Sequence, residues 1–251
     1  GLAARLMMTF LAPKLRIWDE SSAARIDHVI ANSAFVARRV SKVWRREAAV
    51  IHPPVAHEDF RPKVVTPPED FYLFASELVS YKKPQLVIEA FNASGRPLVV
   101  IGDGSERARL EAMAKDNIRF LGKVPFDGLK DHYMRCKGLV FPGIEDFGIV
   151  PLEVAASGRP VIAYASGGAL ETVVEGKTGM FFHEQSSAAI NAAIEALESR
   201  YDDFIPEVMM AHAAKFAPAV FRKQFKAFVD SRLLEFRGGQ DGPCSPEPVS
   251  G

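Results

Sequence analysis

Beyond residue 70 the chain alternates short, continuously apolar runs with amphipathic stretches. The runs are FYLFAS (71–76), PLVVIG (97–102), IRFLG (118–122), GLVFPG (138–143), PVIAYA (160–165) and GMFF (179–182). Stretches with helical spacing, such as QLVIEAFN, ERARLEAMA and PLEVAAS, lie between them. A strand that is apolar at every position is buried on both faces, which predicts a doubly wound parallel sheet of α/β class, covered by helices. In such sheets ligands sit beyond the carboxyl ends of the strands.

The residues before this region carry a second, shorter α/β pattern. Residues 1–52 read as a helix, a strand DHVIAN (27–32), a basic amphipathic helix opened by the N-cap candidate Ser33, and a short strand AAVIH. Residues 53–70 contain five prolines and no apolar periodicity, which predicts a linker. From about residue 186 the pattern is helical, and it ends in the amphipathic run FAPAVFRKQFKAFVDSRLLEF. The predicted organisation is the tail of an α/β unit at 1–52, a linker at 53–70, a ligand-binding α/β domain at 71–217, a C-terminal helix at 218–237 and a disordered tail at 238–251.

Composition changes this picture little. The 251 residues are 48% hydrophobic, ample for a packed core, and 31 basic residues balance 31 acidic ones. No overall field favours nucleic acid, although the first fifty residues carry nine basic against four acidic side chains. Two cysteines, Cys136 and Cys244, form neither a CxxC pair nor a set with histidine at metal-ligand spacing, so a reducing cytoplasm is the expected setting. No apolar run reaches the roughly 20 residues that a membrane span needs. The chain opens at Gly1 without an initiator Met, and we expect it to be preceded by the start of a longer protein.

The densest chemistry lies in EDFGIVPLEVAASGRPVIAYASGGALETVVEG, residues 145–176. Glu145 falls in the loop after the GLVFPG strand, and a helix is expected to start near Pro151. The backbone N–H groups of residues 147–149 would then open a helix N-terminus, a geometry that attracts phosphate, and Gly148 allows close approach. Glu153 would lie in the first turn of that helix. A carboxylate there either accepts the paired hydroxyls of a ribose or simply complements the helix dipole, worth about 0.3–1 kcal/mol. Gly102–Gly104 and Gly167–Gly168 read first as tight turns. The six histidines share no spacing that suggests a metal site or a catalytic triad.

The Glu-x7-Glu pattern from Glu145 to Glu153, with the ASGRPVIAYASGGALETVVEGKTG that follows, resembles the signature of family 4 glycosyltransferases, retaining enzymes of the GT-B fold. The likeness extends over YKKPQLVIEAF, VVIGDGSERARLE, IRFLGKVP and RIDHVIANSAFVARRV, covering residues 15–235. The resemblance implies that residues 71–217 are the C-terminal Rossmann-like domain, which binds the nucleotide-sugar donor, and that residues 1–52 are a remnant of the N-terminal Rossmann-like domain on the acceptor side. It places Glu145 against the donor sugar as the catalytic carboxylate and Glu153 on the donor's ribose. Phe147, Gly148 and Ile149 would offer backbone amides to sugar and diphosphate, and Lys82, with Lys83 beside it, would neutralise the diphosphate. The FLGKV stretch, with Leu121 and Val124, would hold the base.

One position departs from the pattern. Five residues before Lys82 the family usually carries an arginine that shares the diphosphate, and here Glu77 stands there. A carboxylate at that place repels the donor's phosphates or turns away from them. The resemblance further implies a nucleotide diphosphate sugar as donor, a glycan or lipid-linked acceptor, and no cofactor or metal ion. Motif style leans to GDP-mannose and to polysaccharide or lipopolysaccharide assembly. The basic helix from Ser33 to Arg46 either meets an anionic membrane surface or is a solvated face. A noncatalytic nucleotide-sugar-binding module, an inactive fragment of the enzyme, and a different α/β enzyme, such as a sugar-nucleotide epimerase or a dinucleotide-dependent oxidoreductase, are the alternative readings.

Overall fold

The computed structural model describes residues 2–240, with side chains from 5 to 238; Cys244 and most of the tail expected at 238–251 lie outside the described residues. The first unit comprises α1 (Leu2–Ala23), β1 (Ile30–Ala31), α2 (Ala34–Trp44) and β2 (Ala49–Val50), with β1 and β2 paired in parallel. Ser33 caps α2 as the sequence predicts, its hydroxyl accepting from Val36 N at 3.0 Å.

The proline-rich stretch is not featureless. It contains the single helical turn α3 (His57–Phe60), and Phe60, 3% exposed, enters the main hydrophobic core. Val55, just before it, packs with Phe147 and Leu152 in a second, smaller core. Aromatic and aliphatic side chains spaced between prolines are enough to anchor a segment whose backbone makes few regular hydrogen bonds, and no helical or strand period announces them.

The large unit then runs β3 (Tyr72–Ala75), α4 (Pro84–Ser94), β4 (Leu98–Ile101), α5 (Arg107–Met113), β5 (Ile118–Gly122), α6 (Phe126–Arg135), β6 (Gly138–Phe141), α7 (Ile149–Ala156), β7 (Val161–Tyr164), α8 (Ala169–Thr172) and β8 (Gly179–Phe182). Helices α9 (Ser187–Glu198), α10 (Pro206–Ala214) and α11 (Pro218–Gln240) follow. All six strands are parallel, in the order β5-β4-β3-β6-β7-β8. Every residue of β3 and β6 is buried, whereas the edge strands β5 and β8 are only partly so. The continuously apolar runs in the sequence therefore mark the strands that helices cover on both faces.

The strand order reverses between β3 and β6: from β3 the chain winds outward through β4 to β5, and from β6 it winds the other way to β8. Diverging connections leave an open crevice above the carboxyl ends of the two central strands. Helix α7, which follows β6, is itself interior, with Leu152, Val154, Ala155 and Ala156 at 1% exposure or less. It is covered by α10 and α3, so it forms a rigid floor for whatever its N-terminal end presents.

Candidate functional site

The crevice has two adjoining lobes, of about 760 and 490 Å³, which share a wall made by Ala75, Ser76, Glu77 and Val150. Its shape depends on loops packed backbone to backbone. A Cβ on Gly102, whose φ is +132°, would lie 1.9 Å from the carbonyl oxygen of Ser76, so only glycine lets the loops after β3 and β4 meet. The expectation that the GDG sequence is a tight turn is met, with Gly104 and Asp103 also lining the larger lobe.

The smaller lobe gathers the residues of the acidic loop. Glu145, Phe147, Gly148 and Ile149 line it, together with Lys82 from the short helical turn Ser80–Lys82 after β3. Lys82 Nζ and a carboxylate oxygen of Glu145 form an ion pair that spans the switch point. The loop carrying Glu145 is clamped from behind. Gly168 N–H donates to the Glu145 carbonyl at 2.8 Å, and a Cβ on Gly168 would sit 2.2 Å from the Phe147 backbone. The Gly167–Gly168 pair is thus structural, and it buttresses the site.

The Phe147 side chain points away from chemistry: it is 3% exposed, stacks on His52 with ring centroids 5.3 Å apart, and packs on Phe216. What position 147 offers the crevice is its backbone, at the N-terminal end of α7 beside Gly148 and Ile149.

The larger lobe holds Glu153 and Val124, with Tyr133, Leu129, Asp103 and Lys123. Glu153 lies in the second turn of α7 and is largely buried. Burial pushes its carboxyl above the ordinary carboxylate range, and a hydrogen bond from Tyr133 pulls in the opposite direction. Two of the residues picked out from sequence are not brought to the crevice. Leu121 packs against the main core, and Lys83, exposed and at φ +57°, opens helix α4. Glu77, the departure, is exposed on the wall common to both lobes and has no ion-pair partner among the described residues.

A set of contacts that the sequence did not disclose joins the first unit to this site. Glu171, on α8, accepts from the backbone N–H of Ala34 at 2.8 Å and of Phe35 at 3.1 Å, and pairs with His52 at 3.1 Å. Burial alone would raise its carboxyl, but the Ala34 amide, His52 and the Phe35 amide together hold it below the ordinary range. The carboxylate therefore caps α2 beside Ser33. Arg39 on the same helix donates to both oxygens of Asp146, at 3.0 Å each. Within the first unit itself, Arg46 donates to the carbonyls of Ala23, Ile26 and Asp27. These partners lie 19 to 137 residues away in sequence, and no local spacing marks them.

Among the described residues no group of three or more His, Cys, Asp or Glu side chains is placed to hold a metal ion. No helix among them is long and apolar enough to cross a membrane.

The sequence model of the family described as Glycosyl transferases group 1 matches residues 56–215. The chain is 30% identical over 243 aligned positions to a D-inositol 3-phosphate glycosyltransferase of Geodermatophilus obscurus, covering 82% of this chain and 52% of the relative. It is 32% identical over 137 positions to a GDP-mannose-dependent alpha-(1-6)-phosphatidylinositol monomannoside mannosyltransferase of Mycolicibacterium smegmatis, covering 47% of this chain and 36% of the relative. The chain thus spans about half the length of the first of these relatives, and less of the second. Among solved structures it superposes on Anabaena HepE in complex with UDP and glucose with a TM-score of 0.69 and 19% identity, covering 81% of this chain and 63% of that one. That likeness gives the fold, GT-B.

Proposed function

The chain belongs to the glycosyl transferases group 1 family, and we propose that its crevice is the donor site of a retaining glycosyltransferase, which moves a sugar from a nucleotide diphosphate sugar to an acceptor hydroxyl. The observation that carries this reading is the ion pair of Lys82 and Glu145 across the carboxyl ends of β3 and β6, with the N-terminal end of α7 beside it.

In this reading the donor's diphosphate lies against Lys82 and the amides of residues 147–149, where the positive end of α7 meets negative charge. Cleavage of the sugar–phosphate bond leaves an electron pair on the departing diphosphate and positive character on the sugar ring. Lys82 and the amides stabilise the former, and the Glu145 carboxylate faces the latter; charges fixed in place before reaction act where charge develops. Glu153 takes the ribose, and the apolar wall of the larger lobe, including Val124, takes the base. Retention requires the acceptor oxygen to enter from the face that the diphosphate leaves.

We assign mannose, carried by GDP, as the donor sugar. The motif style and the GDP-mannose-dependent relative support that choice, and the UDP and glucose held by the structural neighbour mark the competing one. Residues 1–52 belong on the acceptor side, and a lipid-linked acceptor in polysaccharide or lipopolysaccharide assembly fits the exposed Arg38, Lys42 and Arg45 near Arg39. No cofactor or metal is assigned. A second reading, a nucleotide-sugar-binding module without turnover, is favoured by Glu77, a carboxylate on the crevice wall that has no ion-pair partner among the described residues.

The test is incubation with GDP-mannose and, separately, UDP-glucose, following the anomeric proton signals of the released or transferred sugar. The proposal expects GDP-mannose to be consumed and the sugar to appear first as the α anomer. Consumption of UDP-glucose alone moves the donor assignment, first appearance of the β anomer from GDP-mannose removes retention, and binding without consumption of either favours the module.

A further inference from the structure

Glu153 is met in the crevice by a group from a different element. The Tyr133 hydroxyl, on α6, lies 3.3 Å from Glu153 Oε2, and no other donor reaches that carboxylate among the described residues. The tyrosine is 1% exposed, and its ring packs on Phe60 from α3 with centroids 5.7 Å apart. Burial first, and the neighbouring Glu153 charge second, push the phenol far above its ordinary range. It is therefore a protonated donor at any physiological pH, and the carboxylate is the acceptor.

A carboxylate offers about four acceptor positions on two oxygens. A donor anchored at one oxygen fixes the rotation of the group and leaves acceptor positions on both oxygens for a ligand in the lobe that Glu153 and Tyr133 line together. That arrangement matches two adjacent hydroxyls, whose spacing lets one carboxylate accept from both. Without the anchor, burial favours the protonated carboxyl, which accepts less well and rotates freely.

We infer that Tyr133 is a positioning residue for the donor's ribose, holding Glu153 so that its carboxylate accepts both the 2′- and 3′-hydroxyls of a nucleoside diphosphate. The inference rests on the donor-site reading of the crevice. It also gives the proline-rich stretch a part in the site, because Phe60 backs the tyrosine ring.

The experiment is calorimetric titration of the protein and of Tyr133→Phe with GDP and UDP and with their 2′,3′-dideoxy forms. The parent protein is expected to prefer the ribose form by at least about tenfold, and Tyr133→Phe to lose about tenfold in affinity for the ribose form while binding the dideoxy form as before. A merely structural role weakens both forms alike. Equal losses, or an unchanged preference in a variant that melts like the parent, overturn the inference and leave nucleotide binding standing. A parent that binds no nucleotide overturns the donor-site reading and this inference with it. In a Glu153→Gln background, Tyr133→Phe is expected to cost the ribose form nothing further, and full additivity of the two losses would show that the tyrosine acts elsewhere.

Discussion

Lys82, at the end of the turn after β3, pairs with Glu145, in the loop after β6, so their ion pair bridges the point where the sheet's winding reverses. Both are mostly shielded, 19% and 21% exposed. In the absence of donor each neutralises the other, and a diphosphate would have to compete with Glu145 for the lysine.

That competition gives the two residues opposite effects on nucleotide affinity. Lys82→Ala is expected to weaken GDP binding by at least about tenfold, the size of a lost charge-assisted hydrogen bond. Glu145→Gln frees the lysine and is expected to tighten GDP binding while abolishing sugar transfer. Calorimetry on both variants checks the pair, and a loss of GDP affinity in Glu145→Gln would mean that the lysine needs its partner to be positioned.

Gly168 supports the same loop by having no side chain. A Cβ there meets the Phe147 backbone at 2.2 Å, and backbone cannot swing aside as a side chain does. Gly168→Ala is expected to cost at least about 2 kcal/mol in unfolding free energy by denaturant titration. A variant as stable as the parent would show that the loop relocates freely.

Glu153 links the site to pH. Its carboxyl is raised by burial in the folded protein, so its contribution to stability is present below the unfolded-state value and is lost as pH rises through the folded-state value. Glu153→Gln removes that loss. The variant is expected to melt above the parent at about pH 7.5 and together with it at about pH 4, where the carboxyl is increasingly protonated. Parallel melting curves across that range would contradict the assignment.

Glu171 ties the first unit to the second. Glu171→Ala leaves the Ala34 and Phe35 amides without their acceptor and is expected to cost about 1–2 kcal/mol, as lost helix caps do. Hydrogen exchange at those two amides should speed up, with smaller effects in β7. Unchanged exchange there would show that water replaces the carboxylate without cost.

The sheet was legible in the sequence because burial on both faces leaves runs such as YLFA and GLVF with no polar position to confuse strand with loop. The loop after β6 was legible too, since Glu145, Gly148 and Glu153 sit within one turn-and-helix segment. Tyr133, Glu171 and Phe60 were not. Each acts on a partner from another element, in a helix or turn whose own spacing reads as ordinary core or surface. Lys83 and Leu121 show the converse: adjacency to Lys82 and Val124 in sequence did not carry their side chains into the crevice.

Hydrogen exchange with and without GDP tests in place whether the crevice above β3 and β6 binds a nucleoside diphosphate. Slowed exchange is expected at the amides of residues 147–149 and 76–82, with the edge strand β8 unaffected. Protection confined to other elements, or none at saturating GDP, would contradict binding there.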